Sequence, residues 1–150
     1  MRCCRPLVLT VLCLLASVTA VSGDSAAQVL ELERKNPEVF SADHDPHGKA
    51  AKHLPTVNWE AGEHGSHAVV VVAHGMKWDG EAPHMIEQIY VKDQTGTVVF
   101  HEAFTDTQKH AVVTFEVPDG VTAITGFAYC NQHGLWRSAE TTVTKRTKEL

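Results

Sequence analysis

Ala111-Val112-Val113-Thr114-Phe115-Glu116-Val117-Pro118-Asp119-Gly120-Val121-Thr122-Ala123-Ile124-Thr125-Gly126-Phe127-Ala128-Tyr129 is the stretch that decides the fold. Val113, Phe115 and Val117 alternate with polar neighbours, the period of a strand with one face in a core. Pro118-Asp119-Gly120 is turn chemistry, and a second, more apolar strand follows as Val121–Tyr129. Working outward, period-two segments recur at Leu54–Trp59, His67–Ala73, Met85–Lys92, Thr97–Ala103 and Leu135–Val143. Glu63-His64-Gly65-Ser66 and Asp93-Gln94-Thr95-Gly96 supply further turns between them. Val69 to Val72 is a continuous apolar run, suited to a strand in the middle of a sandwich. About seven short strands in roughly 100 residues predict an all-β, immunoglobulin-like β-sandwich. No internal repeat or low-complexity stretch interrupts it.

Upstream the pattern differs. Asp24 or Ser25 can cap a short helix running to about Lys35, with Val29, Leu30 and Leu32 as a partial apolar face, and Asn36-Pro37 ends it. Residues 41–52 are polar and rich in histidine, glycine and lysine, which reads as loop. Residues 1–23 have the layout of a secretory signal: Arg2 and Arg5, an apolar core from Leu7 to Ala20, and small residues at Val18-Thr19-Ala20 or Val21-Ser22-Gly23 for cleavage. An uncleaved signal anchor is the alternative, but that core falls short of the roughly 20 residues a membrane span needs. The expected organisation is therefore a signal peptide at 1–23, an N-terminal helix and loop at 24–47, and the sandwich at 48–150. A secreted or otherwise exported location follows.

Removing residues 1–23 leaves 127 of 150 residues, enough for one domain with a core. It takes Arg2 and Arg5 but no acid, so the net charge moves from −5 to −7. That balance argues against nucleic acid and anionic lipid as partners, and no later segment looks transmembrane. Homo-oligomerisation is compatible with the sequence, which does not fix the oligomeric state. The final Thr147-Lys148-Glu149-Leu150 departs from the standard retrieval tetrapeptides and reads as a solvated tail.

Cys3, Cys4 and Cys13 leave with the first segment, so Cys130 stands alone. A lone thiol in an exported chain is a buried apolar residue, a nucleophile or a metal ligand. His133, three residues on, can turn toward the same ion. This Cys-x-x-His lacks the second half of a structural zinc site and is no covalent haem motif. His101-Glu102 lacks the second histidine of a metalloprotease helix.

Four segments set this pair in context: Lys52-His53-Leu54-Pro55, His74-Gly75-Met76, His84-Met85-Ile86 and Cys130-Asn131-Gln132-His133-Gly134-Leu135-Trp136. In that order they resemble the superoxide reductases, the one-iron neelaredoxin type that forms the iron-binding domain of desulfoferrodoxin. The resemblance spans about residues 48–143. It implies an immunoglobulin-like sandwich holding one mononuclear non-haem iron, Fe(2+)/Fe(3+), with His53, His74, His84 and His133 equatorial and Cys130 axial. It also implies one-electron reduction of superoxide to hydrogen peroxide, with an external electron donor. The axial sulfur would favour protonation and release of peroxide over cleavage of its O–O bond. Superoxide is an anion, and the negative chain calls for a local cation; Lys52 is the first candidate, Lys49 and Lys77 weaker ones.

The chain departs from the family pattern in three places. Ala51 stands where family members usually carry a glutamate that can close the sixth iron position. His74 and His84 are ten residues apart rather than six, with Pro83 in place of an acid. No cysteine-rich amino-terminal module offers a built-in electron relay. Of the remaining histidines, His44, His47, His64 and His67 read as a solvated loop group, His101 and His110 as surface or half-buried strand positions. Trp136 and Tyr129 are expected to pack around the site. Three rival readings remain at this level: a cupredoxin-like copper electron carrier, a secreted non-catalytic binding module, and a cysteine hydrolase built on Cys130.

Overall fold

The computed structural model describes residues 21–62 and 65–144; the expected signal at 1–23 lies almost wholly outside them, as do His64 and the tail from 145. The chain order is α1 (Gly23–Lys35), β1 (Val39–Phe40), α2 (Ala50–His53), β2 (Pro55–Ala61), β3 (Ser66–Gly75), β4 (Ile86–Asp93), β5 (Val98–Ala103), β6 (His110–Glu116), β7 (Ala123–Cys130), β8 (Gly134–Arg137) and β9 (Thr141–Thr142). One sheet runs β1-β8-β7-β4-β5, with β9 also on β7; the other is β2-β3-β6. Except for the parallel β1–β8 pair, the pairings are antiparallel. Two sheets packed face to face make the expected sandwich.

Alternation builds the core. Along β6, Ala111, Val113 and Phe115 are buried while His110, Val112, Thr114 and Glu116 are exposed. On β3, Ala68, Val70 and Val72 face them, and from the larger sheet come Ile86, Ile89, Val91, Ile124, Ala128 and Cys130. In β4 the alternation fails, because Ile89, Tyr90 and Val91 are all fully buried. The reason is α1: Val29 and Leu32 lie on the outer face of this sheet with Tyr90 and Leu135, so β4 is covered on both sides. Glu33 fastens the helix there, accepting from the Tyr90 hydroxyl at 2.7 Å and pairing with Lys92 at 2.6 Å.

Five expectations are corrected. The cap of α1 is Ser22, whose hydroxyl accepts from the Ser25 amide at 3.3 Å, rather than Asp24 or Ser25. Within the supposed loop 41–52, residues from Ala50 form the short helix α2. Val39 and Phe40, assigned to the N-terminal segment, add a parallel strand to β8. Leu135–Val143 is not one strand but β8 and β9. The break is at Ser138, whose buried hydroxyl accepts from the Gly126 amide and donates to the Ala139 carbonyl. His67 belongs to β3 rather than to a loop, though exposed as expected.

Candidate metal centre

Five side chains from five places in the chain meet at one end of the sandwich. His53, His74, His84, Cys130 and His133 each offer one donor atom, and all five atoms lie within 4.8 Å of one another. Every metal-ligating residue expected from sequence is in this group, His84 included.

Each donor is brought in by local structure. His53 ends α2. His74 stands near the end of β3, where a bulge between Val72 and Gly75 breaks the register with β6. Cys130 is the last residue of β7 and faces inward with Ala128. The β7–β8 hairpin closes through the three residues 131–133, and Gly134 follows at φ +76°, a left-handed conformation that suits glycine. That tight turn folds His133 back over Cys130. Ile86 pairs with Cys130 across β4 and β7, which puts His84 at the same end.

The ten-residue spacing from His74 to His84 is absorbed by a closed excursion. The Lys77 amide donates to the His84 carbonyl at 2.9 Å and the His84 amide returns the bond at 2.8 Å, so residues 78–83 loop out. Asn131 and Gln132 both donate to the Pro83 carbonyl, at 2.9 and 2.8 Å, and the Met85 amide donates to Asn131 Oδ1 at 3.1 Å. These two anchoring side chains escape sequence reasoning; their only signal is their place between Cys130 and His133.

The four nitrogens form a near-square. His53 Nε2 to His133 Nδ1 is 3.1 Å, His133 Nδ1 to His84 Nε2 is 3.0 Å, and His84 Nε2 to His74 Nε2 is 3.0 Å. Ring centroids agree: 4.4 to 4.8 Å along the sides and 6.1 Å across the His53–His84 diagonal. Cys130 Sγ is 3.7 Å from His133 Nδ1 and 3.9 Å from His74 Nε2, two opposite corners, so the sulfur stands near the axis of the square.

The donor set fits a metal. The centre of a square with sides of about 3.0 Å lies about 2.1 Å from each corner, close to a metal–imidazole bond of about 2.0–2.1 Å. His53 Nδ1 donates to the Lys49 carbonyl at 2.9 Å and His74 Nδ1 to the Gly75 carbonyl at 2.6 Å. Those bonds fix the tautomers and turn both Nε2 lone pairs inward. The neighbouring nitrogens stand 3.0 to 3.1 Å apart, a spacing that one cation bound by all four would satisfy. Burial is the main reason all four imidazoles lose basicity; His74 falls to about 4. The same burial pushes the Cys130 thiol up, against backbone N–H bonds from Gln132 and His133 that favour the thiolate. Four neutral nitrogens and one sulfur suit iron, copper or zinc.

The surroundings are uneven. Cys130 is fully buried and closes one face of the square. Trp136 stacks on His53 at 5.2 Å and donates from Nε1 to the His133 carbonyl, as a residue packing around the site should. Phe40 backs it at 5.1 Å, a contact not expected from sequence. Tyr129 does not share this role: next to Cys130 on β7 it points to the opposite face and packs with Leu135 under α1. Lys52, Met76 and Lys77 line a cavity of about 400 Å³ along the His74–His84 side. Lys49, His47, Gln132 and Phe40 line another of about 550 Å³ beside His133. His44 and His47 are exposed and not among the five donors, although His47 lines the cavity beside His133, while His101 is half-buried and His110 exposed.

Comparison with known proteins accords with this geometry. The desulfoferrodoxin family profile matches residues 45–139, more than half of the chain. No curated protein sequence gives a significant match. Among solved structures, the superoxide reductase (neelaredoxin) from Ignicoccus hospitalis is 21% identical over 72% of this chain and 95% of its own, with a TM-score of 0.56. A superoxide reductase in the oxidized state is 20% identical over 75% and 99%, TM-score 0.56. A putative superoxide reductase from Thermotoga maritima is 23% identical over 73% and 95%, TM-score 0.53. At these identities the likeness is one of fold.

Proposed function

The chain belongs to the desulfoferrodoxin family, and from that premise we propose that it is a superoxide reductase. In this reading His53, His74, His84, His133 and Cys130 would together hold one non-haem iron. The observation that carries it is the square of ring nitrogens with a thiol near its axis and open cavities on its exposed flanks. Iron bound there would supply the one electron that the reduction of superoxide needs.

The balance is one superoxide, one electron and two protons giving one hydrogen peroxide, with an external donor restoring the electron. The protein's own part is positional. Carbonyls of Lys49 and Gly75 hold two rings in register, Trp136 holds a third element in place, and backbone amides hold the sulfur. Lys52, on the rim of the cavity beside His74 and His84, attracts the anion. Solvent supplies the two protons in this reading. A copper carrier using one thiolate and two imidazoles would leave two of the four converging nitrogens without a role.

Loading the purified protein with Fe(II) without oxygen and then oxidising it tests the reading. The expected results are a thiolate-to-ferric charge-transfer band, lost in Cys130→Ser, and consumption of superoxide beyond the buffer rate. Failure to take up iron, or uptake without superoxide consumption, sinks it. We also read residues 1–23 as an export signal, placing the reaction in an exported compartment. Among the described residues no helix is long and apolar enough to cross a membrane. A mature chain beginning at Val21 or Asp24 supports export, and a chain retaining Met1 overturns it.

A further inference from the structure

We propose that Lys49 and Lys52 form a two-armed cationic clamp over the exposed face of the nitrogen square, with Lys49 the arm on the His133 side. The inference deepens the superoxide reading and rests on it.

The sequence puts Lys52 first and Lys49 among the weaker candidates; the geometry makes Lys49 the second arm. The corners of the square run His53, His133, His84, His74, so the His53–His84 diagonal separates a His133 half from a His74 half. Lys52 lines the cavity on the His74 side and Lys49 the cavity on the His133 side. Both lysines issue from α2 and its cap, the element that carries His53 itself. Cys130 closes the face below. An anion reaching the open face therefore passes an ammonium on either flank.

Both charges are free to act. Among the described residues neither lysine makes an ion pair. The nearest acid in sequence, Asp45, spends its two oxygens on the amides of Lys49 and Ala50, each at 2.8 Å. Lys49-Ala50-Ala51-Lys52-His53 contains no acid, because alanine occupies position 51. Lys77 is a weaker arm. Its side chain lies across Gly80, where a Cβ would meet Cε and Nζ at 3.6 Å.

A whole-chain charge of −5 repels superoxide, so capture depends on cations close to the reacting position. Exposed charges act through water and are screened by salt, which gives the test its handle. Replacing the Lys49 side chain leaves its carbonyl in place for His53.

The experiment compares Lys49→Gln, Lys49→Arg, Lys52→Gln and the double glutamine variant on iron-loaded protein. Each single glutamine change is expected to slow the second-order reaction with superoxide about two- to fivefold at low salt. Each should also reduce the ionic-strength slope by one similar step, and the double variant should show both steps. Lys49→Arg should keep the parent slope. Azide affinity of the ferric protein, read from its charge-transfer band, should fall by a similar factor in Lys49→Gln. A Lys49→Gln protein matching the parent in both salt slope and azide affinity overturns the clamp. A parent that binds azide but does not consume superoxide sinks the enzymatic reading instead, while loss of azide affinity in Lys49→Gln still supports the clamp.

Discussion

Loading the centre with metal at pH 7.5 should release about one proton, and that proton should come from Cys130. An ordinary thiol near 8.5 is roughly nine-tenths protonated at this pH. Burial raises the Cys130 thiol further, so the metal-free site holds a thiol, and metal binding must expel its proton. An ordinary imidazole near 6.5 is only about one-tenth protonated at pH 7.5. Burial lowers all four rings, His74 to about 4, so His74 adds essentially nothing and the other three together add at most roughly 0.3. The sign follows. Below about 6.5 the count rises above one as His53, His84 and His133 gain protons that the metal must displace, and their lowered basicity delays that rise. Far above 8.5 the count falls toward zero as the thiol ionises unaided. Calorimetric titration with Fe(II) under anaerobic conditions, in buffers of different ionisation enthalpy, reads the number directly. Cys130→Ser should leave only the small histidine contribution. A count near zero in the parent would mean a preformed thiolate, and a count of two or more would mean charged imidazoles. Either result refutes the electrostatic account of the site.

Three further outcomes follow from particular contacts. Asn131→Ala removes the bonds to Pro83 and Met85 that hold His84 in the square. Metal affinity should fall about 10- to 100-fold by competition with a chelator, with the fold unchanged by circular dichroism; unaltered affinity would show that the Lys77–His84 bridge suffices alone. Gly126→Ala places a Cβ 2.9 Å from Val57 Cγ2 and 3.5 Å from Pro55 and Val70 at the sheet–sheet interface. Urea unfolding should show a loss of about 1–3 kcal/mol, and an unshifted midpoint would contradict that packing. Glu33→Ala strips the buried Tyr90 hydroxyl of its acceptor and Lys92 of its partner, which should cost about 1–3 kcal/mol with iron content unaffected. Loss of iron in that variant would show that α1 matters to the centre.

What the sequence disclosed and what it withheld divide along physical lines. Strands β2 to β7 are each long enough for alternation to show, and their limits fall within about two residues of the expected ones. Segments too short to complete a period were invisible: the two residues of β1 and the four of α2. The break at Ser138 escaped notice because a buried serine that satisfies its own hydroxyl looks, in sequence, like any polar residue of an edge strand. Cys130 and His133 were legible as a Cys-x-x-His pair, while His53, His74 and His84 were legible through the ordered motifs and the family resemblance these carry. Their supports were not, since the Lys49 and Gly75 carbonyls carry no side-chain signature. Tyr129 was misplaced against the strand's own rule, for a neighbour of the inward-facing Cys130 must point outward.

The spacing of His74 and His84 shows why ligand intervals in sequence are a poor guide to a site assembled by a β-sandwich. What a metal requires is the distance between the bases of the two donor residues, and here the Lys77–His84 backbone bridge sets it. Its two bonds, at 2.9 and 2.8 Å, make the neck of the excursion no wider than a pair of strands. Residues inserted beyond such a neck change the loop outside it and leave the nitrogens at 3.0 Å. The remaining freedom, rotation of the loop about its neck, is removed from the other side by Asn131 and Gln132 on the Pro83 carbonyl. Those two residues lie in the turn that also fixes Cys130 and His133. One hairpin therefore supplies two donors and disciplines a third, while α2 and β3 each add one through a backbone carbonyl. A longer loop is thus compatible with an intact square, and a change of one turn residue is more damaging than four residues of insertion.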